Sequence, residues 1–297
     1  MSKADKIFID LCEDILENGT TTEGQKVRPV WDDGTSAYTI KKFGVVNRYD
    51  LREEFPALTL RKTALKSAMD EILWIYQKKS NNINDLNSHI WDEWADEDGS
   101  IGKAYGYQVG KGYIHHCEET IISNTVAGAT FLKPVIMDQM DAVLYDLKNN
   151  PFSRRIMINL WNIDELCDMN LQPCCYNVIF NVTDEGGEKL VLNMTLNQRS
   201  ADILTANNWN VCQYALLLMM VAQVSNMTPG VLMHCITDAH IYDRHVDLVK
   251  ELITRKTYDA PIVILDPNVK DFYEFTTNDL TVMNYKHGEQ IKIPVAI

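Results

Sequence analysis

The sequence predicts an α+β fold, a single domain on a large mixed β-sheet with packed helices. Three observations carry this expectation. Helical periodicity marks four segments, strand-like runs lie between and after them, and no linker, repeat or low-complexity tract divides the 297 residues. A chain of this length can bury a substantial core.

Residues 5–17 place Ile7, Phe8, Leu11, Cys12 and Ile15 at helical spacing and end at Asn18-Gly19, a packing helix with its stop signal. Tyr38 to Tyr49 is rich in β-branched and aromatic residues and reads as a strand or a bent pair, before Pro56 interrupts. Lys62 to Lys78 carries Leu65, Ala68, Met69, Ile72, Leu73 and Tyr76 on one helical face. Glu71 falls inside that run; on periodicity alone it reads as an edge residue in water. Residues 80–112 break into short polar pieces that nevertheless hold Trp91, Trp94, Tyr105 and Tyr107. Such a region either folds onto the core or lines a pocket.

A helix is expected over 135–147, stopped by Asn149-Asn150-Pro151, and strands over 154–161, 175–183 and 189–200. In the last strand Leu190, Leu192, Met194 and Leu196 alternate with a mostly polar set, so its second face should border a cavity or an interface. Val211 to Val224 is apolar nearly all round yet too short to span a bilayer, which predicts a central buried helix. A strand over 231–236 and further short pieces complete the chain.

The N-terminal eleven residues lack a long hydrophobic run, arguing against a signal peptide or membrane anchor and for a cytoplasmic protein. Seven scattered cysteines without zinc-ribbon spacing read as reduced thiols. A formal charge of -13 opposes nucleic-acid binding and any small anion, so a phosphorylated substrate would need arginines gathered at one point. Arg28, Arg154, Arg155 and Arg199 are the candidates, since guanidinium recognises phosphate bidentately; ordinary surface ion pairs are the competing reading. No phosphate loop, dinucleotide fingerprint or His-Glu-x-x-His motif is present. His115-His116-Cys117 fits no metal spacing and reads as a surface or loop cluster. Cys174 follows Pro173 before a strand, with Arg199 and Ser200 on a strand that could pair with it; a nearby cation favours the reactive thiolate.

Leu171-Gln172-Pro173-Cys174, Asn197-Gln198-Arg199-Ser200-Ala201-Asp202, Asp238-Ala239-His240-Ile241-Tyr242 and the ending Pro294-Val295-Ala296-Ile297 resemble thymidylate synthase. So do Ser153-Arg154-Arg155, Ile90-Trp91-Asp92-Glu93-Trp94 and the helix around Glu71. These marks follow the family's order along essentially the whole chain, 1–297.

The resemblance implies a homodimer of sheets packed back to back. It also implies deoxyuridine monophosphate as substrate and 5,10-methylenetetrahydrofolate as donor of carbon and hydride, with no metal and no DNA or membrane partner. By position, Cys174 matches the nucleophile, Glu71 the organiser of proton transfer, and Tyr105 the tyrosine of carbon 5 deprotonation. Arg28, Arg199 and Ser200 match phosphate ligands, and Arg154 with Arg155 match arginines given to the other subunit's phosphate site. Asn210 matches the reader of the pyrimidine edge, and His240 with Tyr242 the pair on the ribose 3'-hydroxyl. Asp202, Trp91 and the Ile297 carboxylate match folate-site residues.

Departures are Cys175, where histidine or valine usually follows the nucleophile, and Thr237 in place of a glycine. The family's Leu-Gly-x-Pro-Phe-Asn also reads Thr205-Ala206-Asn207-Asn208-Trp209-Asn210 here. Ala206 and Trp209 would then alter nucleotide or folate fit. A related pyrimidine nucleotide hydroxymethylase is the alternative enzyme, and a weakened homologue acting as a binding protein the alternative class.

Overall fold

Alternation of period two and helical repeats of 3.6 build the molecule, a computed structural model of which describes residues 1–123 and 126–296. Helix α1 (Lys3–Asn18) starts where the Ser2 side chain accepts the Asp5 N–H at 3.0 Å, and it buries Phe8, Leu11, Cys12 and Ile15. Those residues pack with Ile236, Ala239 and Ile241 in the smaller of two apolar clusters.

Six strands form the central sheet: β1 (Thr20–Thr21), β2 (Thr39–Asp50), β5 (Met157–Asn159), β6 (Cys175–Thr183), β7 (Val191–Asp202) and β8 (Thr228–Tyr242). Their spatial order is β1-β2-β8-β7-β6-β5. The β7–β8 pair is parallel and the remaining neighbours are antiparallel, so the sheet is mixed as expected.

Against this sheet lie α2 (Leu65–Tyr76) and α5 (Asn207–Val224), and α5 is buried almost all round, as its composition predicts. Both helices belong to the larger cluster, with Leu192, Met194 and Leu196 of β7. The short α3 (Gly106–Gly110) and α6 (Val246–Leu252) flank the sheet, and β9 (Ile262–Leu265) pairs with β10 (Leu280–Met283). Among the described residues no helix is long and apolar enough to cross a membrane.

Four expectations change. Residues 113–137 form an antiparallel hairpin of β3 (Tyr113–Ser123) and β4 (Val126–Met137), and the helix predicted from 135 begins only after it, as α4 (Gln139–Asn149). Asp138 decides that boundary: its carboxylate accepts the Asp141 N–H at 2.9 Å, while Val135 and Ile136 still pair across the hairpin. The His115-His116-Cys117 run therefore sits on a strand and not a loop. His115 Nε2 lies 3.0 Å from Asp146, Cys117 is buried, and no metal-holding group of three occurs among the described residues. Strand 154–161 shrinks to three residues at the sheet edge. Strand 231–236 grows to fifteen, because β2 and β7 satisfy its backbone on both sides.

The outer face of the sheet leaves Phe43 84% and Val46 60% exposed. They border a shallow depression completed by Tyr176, Asn197, Cys235 and Thr237.

Candidate active site

The C-terminal ends of parallel β7 and β8 and the N-terminal end of antiparallel β6 meet at one edge, where ligands of open sheets collect. Register places Ser200 opposite Asp238 and Asp202 opposite His240, while the Arg199 N–H donates to the Cys174 carbonyl at 2.9 Å. Residues far apart in sequence thereby share one cleft.

Cys174 is half-buried at the start of β6. Arg199 is fixed by the carbonyls of Pro173 and Gln172, at 3.0 and 2.8 Å, with its Nη2 3.6 Å from the Cys174 sulfur. Burial raises the Cys174 thiol above its ordinary value, and the charges of Arg199 and Arg28 offset this only in part. The neighbouring arginines favour the thiolate as the sequence suggests, while desolvation opposes them and is the larger influence. Cys175, on the alternate face, is buried in the core and its thiol is pushed up much further by burial. Tyr105 accepts the Cys174 N–H at 3.2 Å, from a residue held at φ +44°. This conformation is costly for a non-glycine residue, and the next residue, Gly106, packs so closely that a Cβ there would stand 2.1 Å from the Ser80 carbonyl oxygen.

Glu71 does not lie in water. It is buried on α2, Oε1 accepting from Trp91 Nε1 at 2.9 Å and Oε2 from Trp209 Nε1 at 2.7 Å. Burial pushes its pKa up to about 7 although both indole donors favour the charged form. Trp91 is 7% exposed and stacks edge-on against Tyr105, so the aromatic-rich 80–112 region both joins the core and lines the cleft.

A chain of amides runs behind these groups. Buried His234 has Nε2 2.7 Å from Gln198 Oε1, and its pKa falls to about 3 through burial, so the neutral ring donates there. Gln198 Nε2 donates to Asn210 Oδ1 at 3.2 Å, and Asn210 Nδ2 donates to Gln213 Oε1 at 3.1 Å. Polarity is propagated in one direction, which orients the Asn210 amide.

Further along β8, Asp238 bonds His240 Nδ1 at 2.9 Å and Lys41 at 3.0 Å. Burial opposes ionisation of Asp238, but these partners hold its carboxyl below the usual range. His240 meets the Tyr242 ring edge-on at 5.1 Å, and Tyr242 feels the charges of Asp202, Arg28 and Cys174. Asp202 takes the Leu204 and Thr205 N–H groups on Oδ1, the Thr205 hydroxyl on Oδ2, and pairs with His245 at 3.6 Å. His245 Nε2 lies 2.8 Å from the Pro294 carbonyl, tying the C-terminal segment to the cleft; Ile297 itself lies outside the described residues.

Arg154 and Arg155 stand exposed just before β5 and do not join the cluster around Cys174; exposed Phe152 lies beside them. Among the departures, Ala206 has φ −103° and Thr237 extends β8, so neither position needs a glycine. Asn208 accepts from the Leu58 N–H and the Thr63 hydroxyl and donates to the Pro56 carbonyl, tethering the segment that leads into α2. Gln198, Gln213, His234 and His245 carry no role in the sequence reading. Gln198 lies inside a recognised motif, but the other three have no local signal.

The whole-chain comparisons agree with this geometry. Residues 6–297 match the family described as thymidylate synthase. The chain is 41% identical to thymidylate synthase 1 of Bacillus subtilis (strain 168), over all of both proteins. It is 37% identical to thymidylate synthase of Clostridium beijerinckii, again over the full length of each. A solved structure, the thermostable thymidylate synthase A from Bacillus subtilis, superposes with a TM-score of 0.85 at 40% identity, covering 99% of each chain. Identity spread over the full length, a common fold and one cleft that gathers the motif residues from distant strands lead to one conclusion: this chain belongs to the thymidylate synthase family.

Proposed function

We propose that the chain converts deoxyuridine monophosphate and 5,10-methylenetetrahydrofolate into thymidylate and dihydrofolate, with Cys174 as the nucleophile. The observation that carries this reading is the Cys174 sulfur 3.6 Å from Arg199 Nη2, within a cleft that also holds Glu71, Tyr105 and Asn210. Arg28, Arg199 and Ser200 receive the phosphate, and His240 with Tyr242 the ribose 3'-hydroxyl. Asn210 faces the pyrimidine edge.

Addition of the sulfur to carbon 6 turns carbon 5 from an inert vinylic position into a nucleophile. Burial opposes ionisation of the thiol and Arg199 and Arg28 favour it, so attack gains as substrate displaces water and strengthens the pull of the two guanidinium groups. Glu71, with a pKa of about 7, populates both protonation states near neutrality and suits proton exchange with the base. Tyr105, whose hydroxyl accepts the Cys174 N–H, suits ordering the solvent that carries away the carbon 5 proton.

The reduced folate supplies the one-carbon unit and the hydride when bound. Asp202 suits an amine-bearing ring, because its carboxyl is held below the usual range despite burial, by His245 and Thr205. Trp91 forms the wall, and the tail anchored through Pro294 covers the folate side; the role of the Ile297 carboxylate in closure rests on the family resemblance alone.

The exposed apolar outer face around Phe43 and Val46 supports a dimer through that face. Exposed Arg154 and Arg155 are free to enter the partner's phosphate site. All seven cysteines are free, which suits a reducing cytoplasm. The test is turnover of deoxyuridine monophosphate with methylenetetrahydrofolate, following thymidylate and dihydrofolate together; a 5-hydroxymethyl product instead would establish the hydroxymethylase alternative.

A further inference from the structure

Trp209 stands where the family pattern carries phenylalanine, and a phenyl ring has no donor. Here the indole N–H meets Glu71 Oε2 at 2.7 Å, while Trp91 occupies Oε1 at 2.9 Å. The two donors arrive from different elements, Trp209 from the first turn of α5 and Trp91 from the loop after α2. Both oxygens of one buried carboxyl are therefore held, the Trp209 bond at the short end of the N–H···O range and the Trp91 bond at its usual length. Trp209 is half-buried, whereas the Glu71 it holds is buried.

We propose that Trp209 is a positioning residue for the reaction: its N–H completes a two-indole clamp that fixes where the Glu71 carboxyl points and eases its ionisation.

The clamp works against its surroundings. Burial is the largest influence on Glu71 and favours the neutral acid, and Asp70 on the same helix pushes in that direction. Tyr105 and Cys175 face Glu71 from other elements and feel its charge, while Gln213 of α5 approaches as a further donor. No cation is among these neighbours, so the indole donors are the main stabilisers of the carboxylate. Removing one of two such donors moves the proton equilibrium about tenfold towards the acid, an upward shift of about one pKa unit or about 1.4 kcal/mol. A residue that merely filled space would leave the titration where it is.

This inference rests on the reading of Glu71 as the proton-exchange group. Two replacements at position 209 in the full-length protein separate donor from packing. Trp209→Phe removes the N–H and part of the ring. Incorporated β-(3-benzothienyl)alanine keeps the indole shape and puts sulfur in place of the N–H, preserving the fold. The readouts are the pH profile of kcat and the carboxyl titration in protein labelled with 13C-glutamate, with the Glu71 resonance identified by its loss in Glu71→Gln. The expected result is a titration raised by about one pH unit in both replacements, the kcat profile following it, and a larger effect on kcat than on the substrate KM. A titration unmoved by the benzothienyl residue overturns the proposal, even if Trp209→Phe is slow, because packing alone would then account for the loss. Undiminished turnover of Glu71→Gln would instead overturn the role given to Glu71, leaving the clamp to be judged on the carboxyl titration.

Discussion

Gln198→Met removes one link from the amide chain behind Asn210 while keeping a side chain of similar length. In the intact chain, a flipped Asn210 amide would set its Nδ2 against Gln198 Nε2 and its Oδ1 against Gln213 Oε1. Each mismatch costs about 1–3 kcal/mol, so the native orientation is protected by roughly 2–6 kcal/mol. Uracil offers an acceptor at oxygen 4 and a donor at nitrogen 3, and only the unflipped amide complements both; cytosine reverses the pattern. Methionine at 198 leaves the Gln213 contact alone, halving the protection, so the preference for uracil over cytosine should fall roughly tenfold to a hundredfold. The same change strands the His234 Nε2–H, which bonds no other acceptor among the described residues, at a stability cost of about 1–3 kcal/mol. The assay is the ratio of kcat/KM for deoxyuridine and deoxycytidine monophosphates in both proteins, with the thermal midpoint recorded for each. An unchanged ratio in a folded variant would refute the orienting role of the chain.

Replacing Cys174 with alanine should abolish covalent trapping of a 5-fluorinated substrate analogue, whereas Cys175→Ala should retain it; a trapped peptide carrying the nucleotide on Cys175 would reverse the assignment. Mixing an Arg154→Ala, Arg155→Ala double variant with a Cys174→Ala variant should restore turnover by assembling one intact site per heterodimer; a fully active species sedimenting as a monomer would sink the shared site. His245 is held above its ordinary pKa by Asp202 and the Pro294 carbonyl, against burial, which lowers it. Its contribution to tail anchoring is therefore complete below the unfolded value near 6.5 and is lost as pH rises through the higher folded value. Carboxypeptidase release of tail residues should accelerate over that rise, and His245→Asn should flatten the dependence; identical profiles would show that the tail is anchored elsewhere.

Much of the scaffold was legible in the amino-acid order because periodicity is local. Residues 175–183 were bounded correctly as a strand, and the apolar run 211–224 is the buried helix α5, extended by four residues at its start. The motif residues announced a family, since Cys174, Arg199, Asp202, His240 and Tyr242 occur in order within recognisable strings. Local pattern misled where two structures share a composition. Val135 and Ile136 fit a helical face but belong to β4, because their partners Ile114 and His115 lie about twenty residues upstream. Only the tertiary structure could decide what Glu71 is: its helix predicts an edge residue, whereas Trp91 and Trp209 enclose it and burial lifts its pKa to about 7. The balance at Cys174 is likewise tertiary, because desolvation depends on every atom packed around the thiol and works against the arginine that the motif displays. Spacing along a chain specifies which way a residue faces, but the dielectric, the donors and the charges around it come from segments brought together by folding. That is why candidate site residues could be named from the sequence while their electrostatic surroundings and hydrogen-bond partners required the fold.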